Sequence, residues 1–122
     1  MKVIDLIEKI SRKNKHDLDL HKDYFLSLIQ KDLDIEFKWH LVQIIPRLNL
    51  TPQELENVWN FLTEILKNKK ESRIVRAFSI TTTEELFQID KIKYKKFKQL
   101  LANVQKENIP SLNSKIKKIL NS

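Results

Sequence analysis

TPQELENVWNFLTEILKNKKESRIVRAFSITTTEEL, residues 51–86, contains the clearest structural pattern of this chain. Thr51, Pro52 and Glu54 suit the N-cap, N1 and N3 positions of a helix, and together they predict a capping box. Apolar residues then recur three and four positions apart as far as Leu66, which gives one apolar side over three turns. The segment therefore begins with an amphipathic helix that has a well-defined start.

A second helix follows the polar run at residues 67–71, which offers no apolar side to bury. Ser72 stands where the N-cap of this helix is expected. Three threonines at 81–83 are unfavourable in a helix because β-branched side chains lose rotamer freedom there. The apolar spacing nevertheless continues through them, so we predict two helices folded back on each other. The second helix is expected to bury Ile74, Val75, Phe78, Thr82 and Leu86.

Similar amphipathic segments lie on both sides of this pair. They predict further helices over residues 3–14, 20–31, 35–48, 92–107 and 110–120, which makes seven helices and no strand. The helix over 35–48 is apolar on two sides and is expected to be buried on both. Pro46 should kink or end this helix by removing a backbone hydrogen bond. Its two apolar sides are Ile35, Trp39 and Val42, and Phe37, Leu41, Ile44, Ile45 and Leu48.

The composition excludes several classes of site. The 122 residues include no glycine and no cysteine. Disulfides, thiolate metal sites, cysteine nucleophiles and glycine-rich phosphate loops are therefore excluded, and β-hairpins are disfavoured. No apolar run approaches membrane-spanning length and the first residues do not resemble a signal peptide, so we expect one soluble cytoplasmic domain. Asparagine is expected to replace glycine at helix C-termini, with Asn14, Asn49, Asn68 and Asn108 as candidates.

The charge is uneven along the chain. Residues 1–66 contain nine Lys and Arg against eleven Asp and Glu, whereas residues 67–122 contain fourteen against five, and the net charge is +7. A basic half can mark a surface for nucleic acid or for an acidic partner. However, 19 of the 23 basic residues are lysine, as expected from an AT-rich genome. Nucleic-acid readers favour arginine for bidentate contacts, so charge alone does not identify a partner.

The helix pairs repeat with a period near 38 residues. A shift of 38 superposes Leu28 on Leu66 and on Val104, and it superposes Lys38 on Arg76. A period near 40 built from helix pairs is typical of an α-solenoid.

Two motifs resemble HEAT repeats: DLDIEFK at residues 32–38 and IVRA at residues 74–77. The first is similar to the acidic turn and Val-Arg pair of that family, and the second contains the pair unchanged. From about Phe37 to Leu120, including the closing IPSL, the chain also resembles a group of small bacterial HEAT-like proteins of unassigned function. It departs from the pattern at Ser72, in place of the turn aspartate, and in its third repeat, where Asn113 and Ser114 replace the Val-Arg pair.

The resemblance implies an all-α fold, a short right-handed α-solenoid of about three HEAT-like helix pairs plus an N-terminal helix. A plain bundle of helices is the alternative. The repeats would span residues 20–48, 51–87 and 92–121 of a single domain, after the helix at 3–14. In this family the second helices line the concave surface. Lys38, Arg76, Lys115 and Lys118 would then form a basic strip that meets phosphates or an acidic peptide. Arg76 could equally be structural, bonding carbonyls or an acid of the adjacent pair.

No residue set points to catalysis, a metal or a cofactor. The three histidines, His16, His21 and His40, lack metal-site spacing, and paired acids such as Glu84 and Glu85 are expected to be solvated. Trp39 and Trp59 fall on apolar stripes and are expected in the core. A solvated outer stripe is expected from Lys91, Lys93, Lys95, Lys96 and Lys98.

We therefore expect a non-enzymatic scaffold that holds a protein partner on its concave surface, as a monomer or weak homodimer and without a membrane. Nucleic-acid binding through the basic C-terminal half is the alternative, and a steep loss of affinity with salt would identify it. A third possibility is an enzyme similar to the DNA alkylation repair glycosylases, which are also built from HEAT-like repeats. The aromatic and acidic groove residues of those enzymes cannot be assigned to positions in this chain.

Overall fold

The computed structural model describes residues 21–121, and all regular structure within them is helical. The elements are α1 (Lys22–Leu28), α2 (Ile35–Ile44), a 3₁₀ turn (Ile45–Arg47), α3 (Pro52–Lys67), α4 (Arg73–Phe87), α5 (Lys91–Gln105) and α6 (Pro110–Leu120). The all-helical prediction is confirmed for this part of the chain, and Pro46 ends α2 as expected. The helix predicted over residues 3–14 lies outside the described residues.

The start of α3 is the capping box that the sequence predicts. The Thr51 hydroxyl accepts a hydrogen bond from the Glu54 N–H at 3.2 Å, and the Glu54 carboxylate accepts one from the Thr51 N–H at 2.9 Å. Lys22 on α1 forms a salt bridge with Glu54 at 2.9 Å and donates to the Asn49 carbonyl at 3.0 Å. One carboxylate therefore both starts α3 and ties it to α1.

The helix α4 has the most neighbours in the described structure. It packs against α2, α3, α5 and α6, and α3 also packs against α5. The predicted helix continues through the threonine run because two of the three hydroxyls are buried with acceptors. Thr83 donates to the Ser79 carbonyl at 2.6 Å, and Thr82 donates to the Val42 carbonyl at 2.9 Å. Small hydroxyl side chains thus fill positions at which α4 meets its neighbours.

Apolar side chains form two buried clusters, one among α1 to α4 and the other chiefly between α5 and α6. Trp39 and Trp59, which were expected in the core, are only half-buried and pack against these clusters. The clusters include Leu41, Val42 and Leu62 in the first, and Phe97, Leu101 and Ile116 in the second.

Some predictions about individual side chains are wrong. Ser72 occupies the N-cap position of α4, but its side chain makes no capping hydrogen bond. Ile35 and Ile74, expected on buried sides, are 56% and 42% exposed. Successive residues of a helix point about 100° apart. Because α4 turns Val75 inward, it turns the preceding isoleucine toward solvent.

Candidate functional site

The four cations expected on the second helices have different environments. Arg76 is buried, with 1% of its surface exposed. Its Nη1 and Nη2 donate to the two carboxylate oxygens of Glu107 at 2.8 and 2.7 Å. Nη2 also donates to the Leu66 carbonyl at 2.8 Å. A bidentate pair of this kind fixes both partners in one geometry. Arg76 therefore acts inside the fold, where it bonds a carbonyl of its own helix pair and an acid of the adjacent pair.

Lys38 makes a corresponding contact one helix pair earlier. Its Nζ bonds the Glu71 carboxylate at 2.6 Å, and Glu71 also accepts a hydrogen bond from the Ser72 N–H. Glu71 lies in the turn before α4, and Glu107 lies in the turn before α6. A base on one second helix thus bonds an acid in the turn that leads to the next second helix.

Lys115 and Lys118 lie on α6, where Lys118 is exposed. The Nζ of Lys115 lies 5.3 Å from the ring centroid of Phe78 and donates to the Thr81 hydroxyl at 3.0 Å. The four expected cations therefore separate into a buried arginine on α4, a partly exposed lysine on α2, both in ion pairs, and two lysines on α6.

Apolar side chains also extend across the second helices. Ile35 and Trp39 lie four residues apart on α2 and share one side of it, and Ile74 and Phe78 repeat this spacing on α4. The ring centroids of Trp39 and Phe78 are 5.6 Å apart, which joins the two sides. Both isoleucines are exposed and both rings are half-buried. We call these four residues the apolar row.

Lys115 lies where the apolar row meets α6, since its ammonium group stands over the Phe78 ring. Single exposed isoleucines are common on protein surfaces and need no explanation. Here, however, two of them lie on neighbouring helices, each one turn from an aromatic ring. The row offers apolar contact area with a cation at one end, an arrangement that suits an apolar anchor of another protein.

The sequence interpretation missed Ile35 and Ile74 as surface residues because it assigned both to buried sides. A signal was nevertheless present in the helix predicted over 35–48, which is apolar on two sides. The observed α2 buries Leu41 and Ile44 of one apolar side and Val42 of the other, whereas Ile35, which begins that other side, is exposed.

The described residues show no arrangement suited to metal binding. No group of three metal-ligating side chains occurs among residues 21–121. His21 is exposed, and the His40 ring lies 4.5 Å from that of Trp39, whereas His16 lies outside the described residues.

The perturbed ionisable groups belong to local pairs. Hydrogen bonds from Arg76 hold the pKa of the Glu107 carboxyl below its usual value, with a further contribution from the guanidinium charge. A hydrogen bond with Glu56 raises the pKa of Lys93. Each shift is thus explained by an ion pair that joins two helices or a helix and a turn, and neither indicates a general acid or base.

No protein-family model, no curated protein sequence and no solved structure matches this chain. Within the part of the chain that the structure describes, no helix has the length and apolar content required to cross a bilayer.

Proposed function

We propose that this chain is a non-enzymatic scaffold of the HEAT-repeat type, a short right-handed α-solenoid that holds a protein partner on its second helices. The observation that carries the proposal is the apolar row, in which Ile35 and Ile74 are exposed beside the adjacent rings of Trp39 and Phe78. Covering such side chains is favourable, by about 1.5–3 kcal/mol for an isoleucine that becomes fully buried. A partner that covers the row would gain this free energy.

The packing of the helices supports a repeated arrangement. The helix α4 contacts the second helices of the preceding and following pairs, α2 and α6, and α3 contacts α5. The Lys38–Glu71 and Arg76–Glu107 ion pairs join corresponding positions of successive helix pairs. Contacts that recur between neighbouring units are the basis of solenoid stability. In HEAT repeats the second helices line the concave surface, so the row would lie there.

Binding would combine apolar burial with a contact to a charge. The two aromatic rings provide rigid contact area at a low cost in conformational entropy, which is typical of residues that dominate interfaces. Lys115 and Lys118 favour a carboxylate on the partner, and charges at an interface rim act mainly on the association rate. The expected partner is therefore a protein segment with an apolar anchor and a nearby Asp or Glu.

Site-specific photo-cross-linking tests the proposal. A benzophenone amino acid in place of Ile74 should give one dominant adduct with a protein of the native cells. The same probe in place of Asn103, an exposed residue of α5 outside the row, is the matched control and should not give that adduct. Equal yields of the same adduct from both positions, or no adduct from position 74, would contradict docking at the row.

The composition of α5 favours nucleic-acid binding as a second candidate. This helix contains five lysines and no acidic residue, and Lys91, Lys95 and Lys96 are exposed. Phosphate contacts by such a surface would release counterions, so affinity would fall steeply between about 50 and 200 mM salt. Fluorescence anisotropy with a labelled DNA duplex measures this dependence. Binding that is absent, or that does not change with salt, would exclude this candidate.

A further inference from the structure

A cleft of about 430 Å³ lies beside the second half of α3. The Lys22–Glu54 salt bridge holds the beginnings of α1 and α3 together, but α1 has seven residues and α3 has sixteen. Residues 29–31, which follow α1, line the cleft together with residues of α3. None of the four residues of the apolar row lines this cleft, so binding in the cleft is separate from docking at the row.

Three asparagines of the α3 side line the cleft: Asn57, Asn60 and Asn68. The first and last are about three turns, or about 16 Å, apart along the helix. The Asn57 Oδ1 accepts a hydrogen bond from Gln53 at 3.4 Å, and the Asn68 Oδ1 accepts one from the Lys70 N–H at 3.0 Å. Neither amide nitrogen donates a hydrogen bond among the described residues, so both can donate to a ligand.

The remaining lining has an apolar part formed by Ile29, Phe61 and Ile65. Phe61 is half-buried and Ile65 is buried, so this part is firmly held by the core. The cleft thus places side-chain amides beside a small apolar surface.

The charges that line the cleft balance. Two lysines, Lys31 and Lys38, oppose two acids, Glu64 and Glu71. Lys38 and Glu71 form the ion pair described above. A balanced lining gives no net attraction to a polyanion or to a cation. A neutral ligand with hydrogen-bonding groups is favoured instead.

We propose that this cleft binds an extended peptide segment. An extended chain rises about 3.3 Å per residue, so about five residues span the distance between the outer asparagines. Backbone carbonyls of the segment accept hydrogen bonds from the asparagine amide nitrogens. Alternate side chains of an extended segment point to the same side, which lets one apolar side chain contact Phe61 and Ile65.

A phage-displayed library of random peptides, selected on the immobilised full chain, supplies the probe. Enriched sequences are then synthesised, and their Kd is measured by fluorescence anisotropy. The Asn57→Asp/Asn60→Asp variant keeps the side-chain shape but replaces two donors with acceptors, and it should weaken binding by at least about tenfold. Asn103→Asp on α5 is the matched control and should leave the Kd unchanged, and thermal unfolding verifies that all variants fold.

Two results would overturn the proposal. The first is a selection that enriches no peptide. The second is a set of enriched peptides whose Kd does not respond to Asn57→Asp/Asn60→Asp. If those peptides lose affinity for the Ile35→Ser/Ile74→Ser variant instead, their site is the apolar row and not the cleft.

Discussion

The hydroxyl of Thr82 donates a hydrogen bond of 2.9 Å to the backbone carbonyl of Val42 and thereby joins α4 to α2. In a continuous helix the N–H of residue 46 would bond this carbonyl, but Pro46 has no N–H. Val42 is fully buried, so water does not supply a donor. A proline and a threonine, each unfavourable within its own helix, therefore compensate for each other across the core.

Replacing Thr82 with valine is expected to lower the free energy of unfolding by about 1–3 kcal/mol, because the Val42 carbonyl would be buried without this donor. Thr63→Val is the matched control. The Thr63 hydroxyl donates only to carbonyls of its own helix, at Trp59 and Asn60, which backbone N–H groups also bond. The control should cost less than about 1 kcal/mol. Urea denaturation measures the free energy of unfolding of both variants. Equal losses of stability would contradict the importance of the hydrogen bond between α4 and α2.

Removing the carboxylate of Glu107 should be among the most destabilising single changes. Glu107→Ala would leave the Arg76 guanidinium buried without its counter-ion, at a cost of about 3–5 kcal/mol. Glu71→Ala is the corresponding change one helix pair earlier. The Lys38 side chain is 21% exposed and its ammonium group can turn toward water, so this change should cost only about 1 kcal/mol. Urea denaturation measures the free energy of unfolding of both variants. Similar losses of stability would contradict a buried ion pair at Arg76.

The same ion pair predicts how stability depends on pH. Hydrogen bonds and charge from Arg76 hold the pKa of Glu107 in the folded protein below its ordinary value of 4.5. The unfolded state therefore binds this proton more readily in acid. The stabilisation is present above about pH 4.5 and is lost as the pH falls through the folded-state pKa.

Unfolding free energies measured between neutral pH and pH 3 test this dependence. Glu107→Gln should reduce the acid loss of stability relative to the unchanged chain. Part of the loss should remain, because the hydrogen bond from the Thr51 N–H, together with Lys22, also lowers the pKa of Glu54. An identical pH profile for Glu107→Gln and the unchanged chain would show that the Arg76–Glu107 pair does not cause the acid loss of stability.

The capping box at the start of α3 gives a prediction about helix ends. Thr51→Ala should lower the free energy of unfolding by about 1 kcal/mol, because the Glu54 N–H loses its acceptor. Ser72→Ala at the start of α4 is the matched control, since Ser72 makes no capping hydrogen bond. Its effect should stay within about 0.5 kcal/mol. A larger loss from Ser72→Ala than from Thr51→Ala would reverse the assignment of the two caps.

Local signals predicted the helix boundaries well. The capping box, the break at Pro46 and the left-handed Asn108 after α5 each depend on residues that are close in sequence, whereas Asn49 and Asn68, also expected to replace glycine, have no positive φ. Asn108 has a φ of 57°, the left-handed conformation for which asparagine replaces the missing glycine.

Burial was less predictable because it depends on distant neighbours. Ile74 and Val75 are both apolar and adjacent, and only the packing of α4 against other helices selects the valine for the core. The role of Arg76 depends on Glu107, which lies 31 residues away in the chain. The apolar row escaped prediction for the same reason. The sequence of an apolar helix side looks the same whether that side is buried in the core or forms a docking surface.

The role of the apolar row is tested most directly by the affinity of the cross-linked partner for the Ile35→Ser/Ile74→Ser variant. We predict at least about tenfold weaker binding from the lost apolar contacts, and thermal unfolding should show that the variant still folds, because both side chains are partly exposed. Ile89→Ser/Ile92→Ser changes two other exposed isoleucines outside the row and should keep full affinity. Full affinity of Ile35→Ser/Ile74→Ser, or an equal loss in the two variants, would contradict docking at the apolar row.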